Sequence, residues 1–371
     1  MPENRDTMNT PVLFVNSYVG SGIGDFGKNL NGHLEDENSH SVTYLETQPN
    51  WTNFIRNWSH IFRYRSVIIV NLGFTSYGKS AIRNFINFLF IGIAASLMRK
   101  DMRIILHDSP EITTARASGY RFFRIKRLGS AAATLFLRRT KVHVFSKALH
   151  NLLLSKYGFM DSSYHPFPCM KTPAIRKNIQ KLKPLILSLG YVAPYKGLEI
   201  LIEIKELNPE IEVIVAGGFH PILATTSDGK NYIDSLTGEM RRSGIEFSGY
   251  LTDHSLEKII EEHRCVGILP YKMTSGSSYA AIFLIERGIP LIASDLEEFR
   301  ALQQNGAGIK VTERTPTCLS SKLTEILGDP NEYRTMVESN IAYCKIYSIR
   351  NFISDILNRF SNVPLPENRC K

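Results

Sequence analysis

Cysteine is scarce and scattered: Cys169, Cys265, Cys318, Cys344 and Cys370 are odd in number and form no CxxC pair. That pattern argues against a disulfide framework and a cysteine-ligated zinc site, and it favours a reducing, cytoplasmic setting. Long apolar runs are also missing. The longest, residues 85–98, contains Asn87 and falls short of the ~20 residues of a membrane span. The opening MPENRDTMNTP has no apolar stretch of the kind a secretory leader carries, so a cytoplasmic protein without a transmembrane helix is expected. No acidic cluster stands at metal-ligand spacing, and no obligatory metal is expected. Short-period repeats and low-complexity tracts are absent. What remains is an ordinary globular composition spread over 371 residues, more than one hydrophobic core usually organises, so two domains are expected.

Acidic residues are thin in the first half. Residues 1–175 hold 21 Lys and Arg against 11 Asp and Glu, a net of +10, while the remaining residues are close to neutral at −1. The basic excess is densest from Arg116 to Lys141, where eight cations occur without a carboxylate and Phe122, Phe123, Ile125, Leu135 and Phe136 are interleaved with them. Two readings fit. The segment lies on an anionic membrane surface, or its apolar side packs into its own domain beneath a solvated basic face. A nucleic-acid partner is disfavoured because no recognition module accompanies the charge.

Strand and helix patterns alternate through both halves. The first half reads as strands at PVLFVN, 41–45, 66–71, 103–107 and 142–145, with helices at 25–35, 51–58, 82–98 and 130–137. The second reads as strands at 185–189, 211–216, 244–247, 266–269, 290–293 and 308–311, with helices at 198–206, 256–262 and 279–287. Further helices are expected from 331 and over 351–360. Such alternation predicts parallel sheets covered on both faces, an α/β protein with two doubly wound Rossmann-like domains. The proline-punctuated stretch from Tyr164 to Pro173 is the expected linker. We accordingly divide the chain into a first Rossmann-like domain over 1–170, a second over 175–345, and a C-terminal helical segment over 346–371. Facing domains of this kind bind ligands at the carboxyl ends of their strands, in the cleft between them.

Two glycine-containing segments carry candidate chemistry. Gly22-Ile23-Gly24-Asp25-Phe26-Gly27 matches GxGxxG, with Glu46 about where a ribose-binding acid would stand. Six residues separate it from the strand, a longer loop than a pyrophosphate-cradling turn uses, which disfavours a dinucleotide site and suits an acceptor-side wall at Gly22, Ile23, Gly24 and Asp25. The second segment runs from Leu185 to Asp295. It brings Lys196-Gly197 after one strand, Gly217-Gly218 after the next, and a Ser275-Gly276-Ser277-Ser278 turn before a helix. A lysine beside a strand-end glycine supplies a point charge, and amides at a helix start supply a dipole end, so the pair suits a diphosphate. Against this stand a plain solvated lysine and simple N-capping serines.

In order and spacing these pieces resemble glycosyltransferases of the GT-B fold, and within them family four, the retaining group that uses nucleotide sugars. GIGDFGKNL is similar to the family's first glycine-rich loop and helix, Lys196-Gly197 with Leu201-Ile202 to its "KG…LI", Phe247-Ser248-Gly249 to its "F-x-G", and GIPLIASD to its "G-x-P-V-I-A-S-D". The resemblance spans nearly the whole chain, and it implies that residues 1–170 bind the acceptor, that residues 175–345 bind the nucleotide sugar, and that the helix over 346–371 packs back on the first domain. It implies transfer of a hexosyl group from a nucleotide-diphosphate sugar to a glycan or lipid-linked acceptor, with retention and without a protein nucleophile. It places Gly190, Tyr191, Lys196, Gly197, Gly217, Gly218, Tyr250, Leu251, Tyr271, Ser275, Gly276, Ser277 and Ser278 on the donor, with Lys196 and His107 as catalytic groups. A backbone-bonded strand-end histidine is the equal alternative for His107; Glu286 stands one helical turn beyond Phe283, and for it a surface ion pair with Arg287 is at least as well supported as a site role. The paired glutamates of the family are replaced by Ser275 and Phe283, so the donor's sugar and ribose contacts must be made differently. A sugar-nucleotide epimerase or a non-catalytic nucleotide-sugar-binding protein fits the same scaffold.

Overall fold

The computed structural model describes residues 12–17, 22–37, 42–47, 67–72, 102–107, 140–159, 161–176, 179–219, 223–274 and 276–357. The helices expected at 51–58, 82–98 and 130–137, the basic segment up to Arg139, Ser275 and the end of the last helix lie outside the described residues.

The first sheet contains β1 (Val12–Ser17), β2 (Val42–Thr47), β3 (Val67–Leu72), β4 (Met102–Leu106), β5 (Lys141–Val144) and β6 (Ser162–Tyr164). Its order is β2-β1-β3-β4-β5-β6, and every pairing is parallel. Its central strands read as near-continuous apolar runs because helices cover both faces of such a sheet, and all five residues of β4 are buried. Helix α1 (Gly22–Glu37) buries Phe26, Leu30 and Leu34, one stripe at four-residue spacing. Helix α2 (Lys147–Tyr157) starts where the Ser146 hydroxyl accepts the Leu149 N–H and stops at Gly158, whose φ of 67° lets its N–H return to the Leu153 carbonyl.

The second sheet repeats the plan with β7 (Lys183–Leu189), β8 (Glu212–Ala216), β9 (Glu246–Gly249), β10 (His263–Leu269), β11 (Leu291–Ser294) and β12 (Ile309–Thr312). Its order is β12-β11-β10-β7-β8-β9, again all parallel. The helices are α3 (Ile200–Leu207), α4 (Ser227–Arg242), α5 (Asp253–Glu262), α6 (Tyr279–Ile285), α7 (Glu297–Gln304), α8 (Pro316–Gly328), α9 (Pro330–Ile346) and α10 (Ile349–Leu357). None among the described residues is long and apolar enough to cross a membrane.

Several elements differ from the sequence expectations. The motif Gly22 to Gly27 is the start of α1 rather than a loop. Tyr164, expected in the linker, ends the edge strand β6. Helices α2, α4, α7 and α8 have no counterpart in the expected pattern. In α4 only Ile233, Leu236 and Met240 carry the apolar stripe through a mostly polar sequence, which hides its period. For α8 the sequence does hold a signal, since Thr315 caps it and Pro316 occupies its first turn.

Both sheets meet through one apolar cluster. From β6 the chain runs to Cys169, which pairs main chain to main chain with the α9–α10 junction: its N–H donates to the Tyr347 carbonyl at 2.8 Å and its carbonyl accepts from Ile349 N at 2.8 Å. Helix α10 then returns to the first sheet, with the Phe352 ring 5.1 Å from Phe145 and 5.3 Å from His165.

Candidate active site

In each sheet the chain winds outward both ways from its first strand, so each has a switch point where ligands bind at strand ends. In the second sheet that point lies between β7 and β10. A cavity of about 320 Å³ opens there, lined by residues that follow β7, β8, β9 and β10 and, from the first sheet's side, by Asp25 of α1.

Lys196 ends a short 3-10 turn, Pro194–Lys196, after β7. It is not a plain solvated lysine. Its Nζ lies 3.7 Å from the centroid of the Tyr271 ring and 5.3 Å from that of Tyr195, and burial lowers its pKa from 10.5. No ion pair neutralises it among the described residues. The backbone around it is closely fitted. Gly190 has φ 121°, and a Cβ there would stand 3.4 Å from Lys196 Nζ. Gly217 packs so tightly that a Cβ would come within 2.1 Å of the Gly190 carbonyl. The Val192 N–H donates to Gly218 O at 3.0 Å, and Gly217 N donates to Gly249 O at 2.7 Å, so the three strand-end loops are stitched side by side.

Of the expected donor residues, Gly190, Tyr191, Lys196, Gly217, Gly218, Tyr250, Leu251, Tyr271, Gly276, Ser277 and Ser278 line this one cavity. Gly197 does not. Its φ of 64° and a Cβ position 2.2 Å from the Pro270 carbonyl show that it lets two loops touch. The serine hydroxyls are already engaged: Ser278 caps Ala281 N at 3.3 Å, and Ser277 donates across the cleft to the Phe145 carbonyl at 2.5 Å. Helix α6 is only seven residues long, so its macrodipole is weaker than the sequence pattern implies.

On the first sheet's side only Asp25 of the expected wall reaches the cavity. The Ile23 and Gly24 carbonyls accept instead from Asn71 Nδ2 and Asn16 Nδ2, both at 2.8 Å. Gly27 lies so close to this asparagine pair that a Cβ would meet Asn16 Oδ1 at 2.0 Å; the motif's third glycine serves helix-on-sheet packing. His107 is outside the cavity lining. Its Nε2 is 2.6 Å from Asn71 Oδ1, its ring packs edge-on against Phe26 and Phe145, and burial pushes its pKa down to about 3. Its hydrogen-bond partner is thus a side-chain amide, where the strand-end alternative has backbone.

Tyr195, Asp253, Met273, Thr274, Tyr279, Ala280 and Phe283 also line the cavity, none of them among the expected donor residues. Tyr279 and Phe283 are four apart on α6, a spacing visible in the sequence but indistinguishable there from core. Glu286 is no surface group. Only 3% exposed, it accepts the Met170 N–H, and burial raises its pKa to about 7, while Arg287 pairs with Glu257 at 3.0 Å. Among the described residues no group of three His, Cys, Asp or Glu is placed to hold a metal ion.

No protein-family model matches the chain, and no curated protein matches it by sequence. Solved structures do match. HepE of Anabaena, crystallised with UDP and glucose, superposes with a TM-score of 0.69 at 13% identity, covering 95% of this chain and 100% of HepE. Sucrose-phosphate synthase of Thermosynechococcus elongatus gives 0.69 at 14% over 95% and 99%. A glycosyltransferase of Rickettsia africae gives 0.66 at 12% over 95% and 100%. With two doubly wound domains facing a cleft, the chain has the GT-B fold of these glycosyltransferases.

Proposed function

We propose that the protein is a glycosyltransferase that moves a hexosyl group from a nucleotide-diphosphate sugar to a glycan or lipid-linked acceptor. One observation carries this reading: among the described residues Lys196 is the one cationic side chain lining the switch-point cavity, which Asp25 and Asp253 also line, and no ion pair neutralises it. Breaking the bond between an anomeric carbon and a phosphate oxygen leaves charge on the departing diphosphate, and a fixed cation in a water-poor cavity lowers that barrier. The structural neighbours, one of them holding UDP and glucose, support the same donor class.

In this reading residues 175–345 take the donor and residues 1–170 the acceptor, with Asp25 near the transferred sugar. Retention follows if the leaving phosphate takes the acceptor's proton, with no protein nucleophile. A membrane-bound acceptor, reached through the basic stretch between Arg116 and Lys141, is part of the proposal and is checked by salt-dependent binding to anionic vesicles. A thermal-shift and calorimetric panel of UDP-, GDP- and dTDP-sugars tests the whole. At least one should bind, and Lys196→Met should weaken it roughly 10- to 100-fold, as loss of a charged hydrogen-bond donor does. In a product assay with the donor that binds, turnover without transfer, epimerised donor or no turnover would each replace the transferase assignment; no binding across the panel removes it.

A further inference from the structure

Lys196 has a carboxylate within three residues and does not use it. Glu199 is taken by Lys272 at 2.5 Å and by Arg314 at 3.8 Å. The ammonium lies over aromatic faces instead, and its nearer partner, Tyr271, is only 2% exposed.

That seat is built by both loops of the switch point. Lys272 N donates to the Tyr195 carbonyl at 2.8 Å, and Gly197 rests on the Pro270 carbonyl, so the turn carrying the lysine is fastened to the loop carrying the ring. The ring itself is fixed. Ser294 Oγ donates to the Tyr271 carbonyl at 2.6 Å, Ser278 Oγ donates to the phenolic oxygen at 3.4 Å, and Phe299 packs 5.4 Å away.

We propose that Tyr271 is the positioning residue of this site: the face of its ring holds the Lys196 ammonium in place for a donor diphosphate. A carboxylate would hold the lysine equally well but would neutralise it and compete with phosphate. A ring quadrupole attracts the cation and leaves its charge available. Diverting Glu199 to Lys272 and Arg314 is what keeps that arrangement intact. The proposal rests on the nucleotide-sugar reading given above, and it concerns how the charge is presented rather than which reaction follows.

The test uses the full chain and the nucleoside diphosphate that the wild type binds most tightly among UDP, GDP, dTDP and ADP, measured by calorimetry. Tyr271→Phe keeps the ring and should bind within about twofold of wild type. Phenylalanine bearing one, two or three ring fluorines at position 271 preserves shape while draining the face, and affinity should fall stepwise to about tenfold weaker, in line with a desolvated cation–π contact. In a Lys196→Met background the same series should be flat, because a ring acting through the lysine has nothing left to hold. A flat series in the wild-type background, or an equal decline with and without Lys196, overturns the proposal while leaving diphosphate binding standing. Failure of the wild type to bind any of the four removes the reading and the inference with it.

Discussion

Glu286 carries a carboxylate in a place that disfavours its charge. Burial raises its pKa from 4.5 to about 7, opposed by the Met170 N–H and then by Arg287 and Lys171. An acid raised on folding binds its proton more tightly in the native state, so this group's contribution to stability is fully present below about pH 4.5 and is lost as pH rises through 7. A glutamine side chain would mimic the protonated form and keep an acceptor for Met170. Glu286→Gln should therefore raise the melting temperature at pH 8, by the equivalent of at most about 3 kcal/mol, and change it little at pH 4.5; an equal shift at both pH values would refute the titration. Lys196 behaves in the opposite sense. Its charge is already disfavoured by burial, so diphosphate affinity should fall with rising pH at a lower pH than an exposed lysine would titrate, and this alkaline limb should vanish in Lys196→Met.

At the scale of elements, close backbone approach decides more than side-chain type. Gly27 lets α1 settle on the Asn16–Asn71 pair, and those amides bond the helix's first turn. Gly27→Ala would drive a methyl group into Asn16, and overpacking of this kind costs about 1–3 kcal/mol in denaturant unfolding. The loop before α6 is held differently. Glu298 of α7 accepts one hydroxyl from Thr274 in that loop and another, at 3.3 Å, from Ser146, the cap of α2 on the first sheet. Glu298→Ala removes both acceptors. Amide hydrogen exchange at residues 276–278 should then accelerate by about 10-fold or more, as loss of a charge-assisted bond implies; unchanged exchange would show that the loop is held by its packing alone.

Across the whole molecule, the two sheets are tied at the cleft by side chains and at the back by the returning helix α10. Phe352 is 4% exposed and packs on Phe145, which itself joins Phe26 and Phe167 in the aromatic cluster behind the cavity. Phe352→Ala should cost about 3–5 kcal/mol. If α10 binds the halves into one cooperative unit, urea unfolding of this variant followed by two probes should split into two transitions; coincident curves at a lower midpoint would mean that the remaining contacts suffice.

Strand and helix alternation was legible because a parallel strand buried on both faces must be apolar throughout, as VLFV, VIIV and LILSL are. The positions of Lys196, Gly190 and Gly217 after their strands were legible for the same reason, since strand ends can be located from such runs. Sequence alone also marked Ser275 and Phe283 as standing where the family it resembles carries carboxylates. It did not reveal that Gly27 serves packing, that His107 turns toward Asn71, or that Glu286 is buried under the linker, because each depends on a partner distant along the chain. Nor did it show the Tyr271 ring beneath the lysine. That contact exists because the second sheet reverses its winding between β7 and β10, bringing two loops 75 residues apart side by side, a proximity that only the tertiary structure decides.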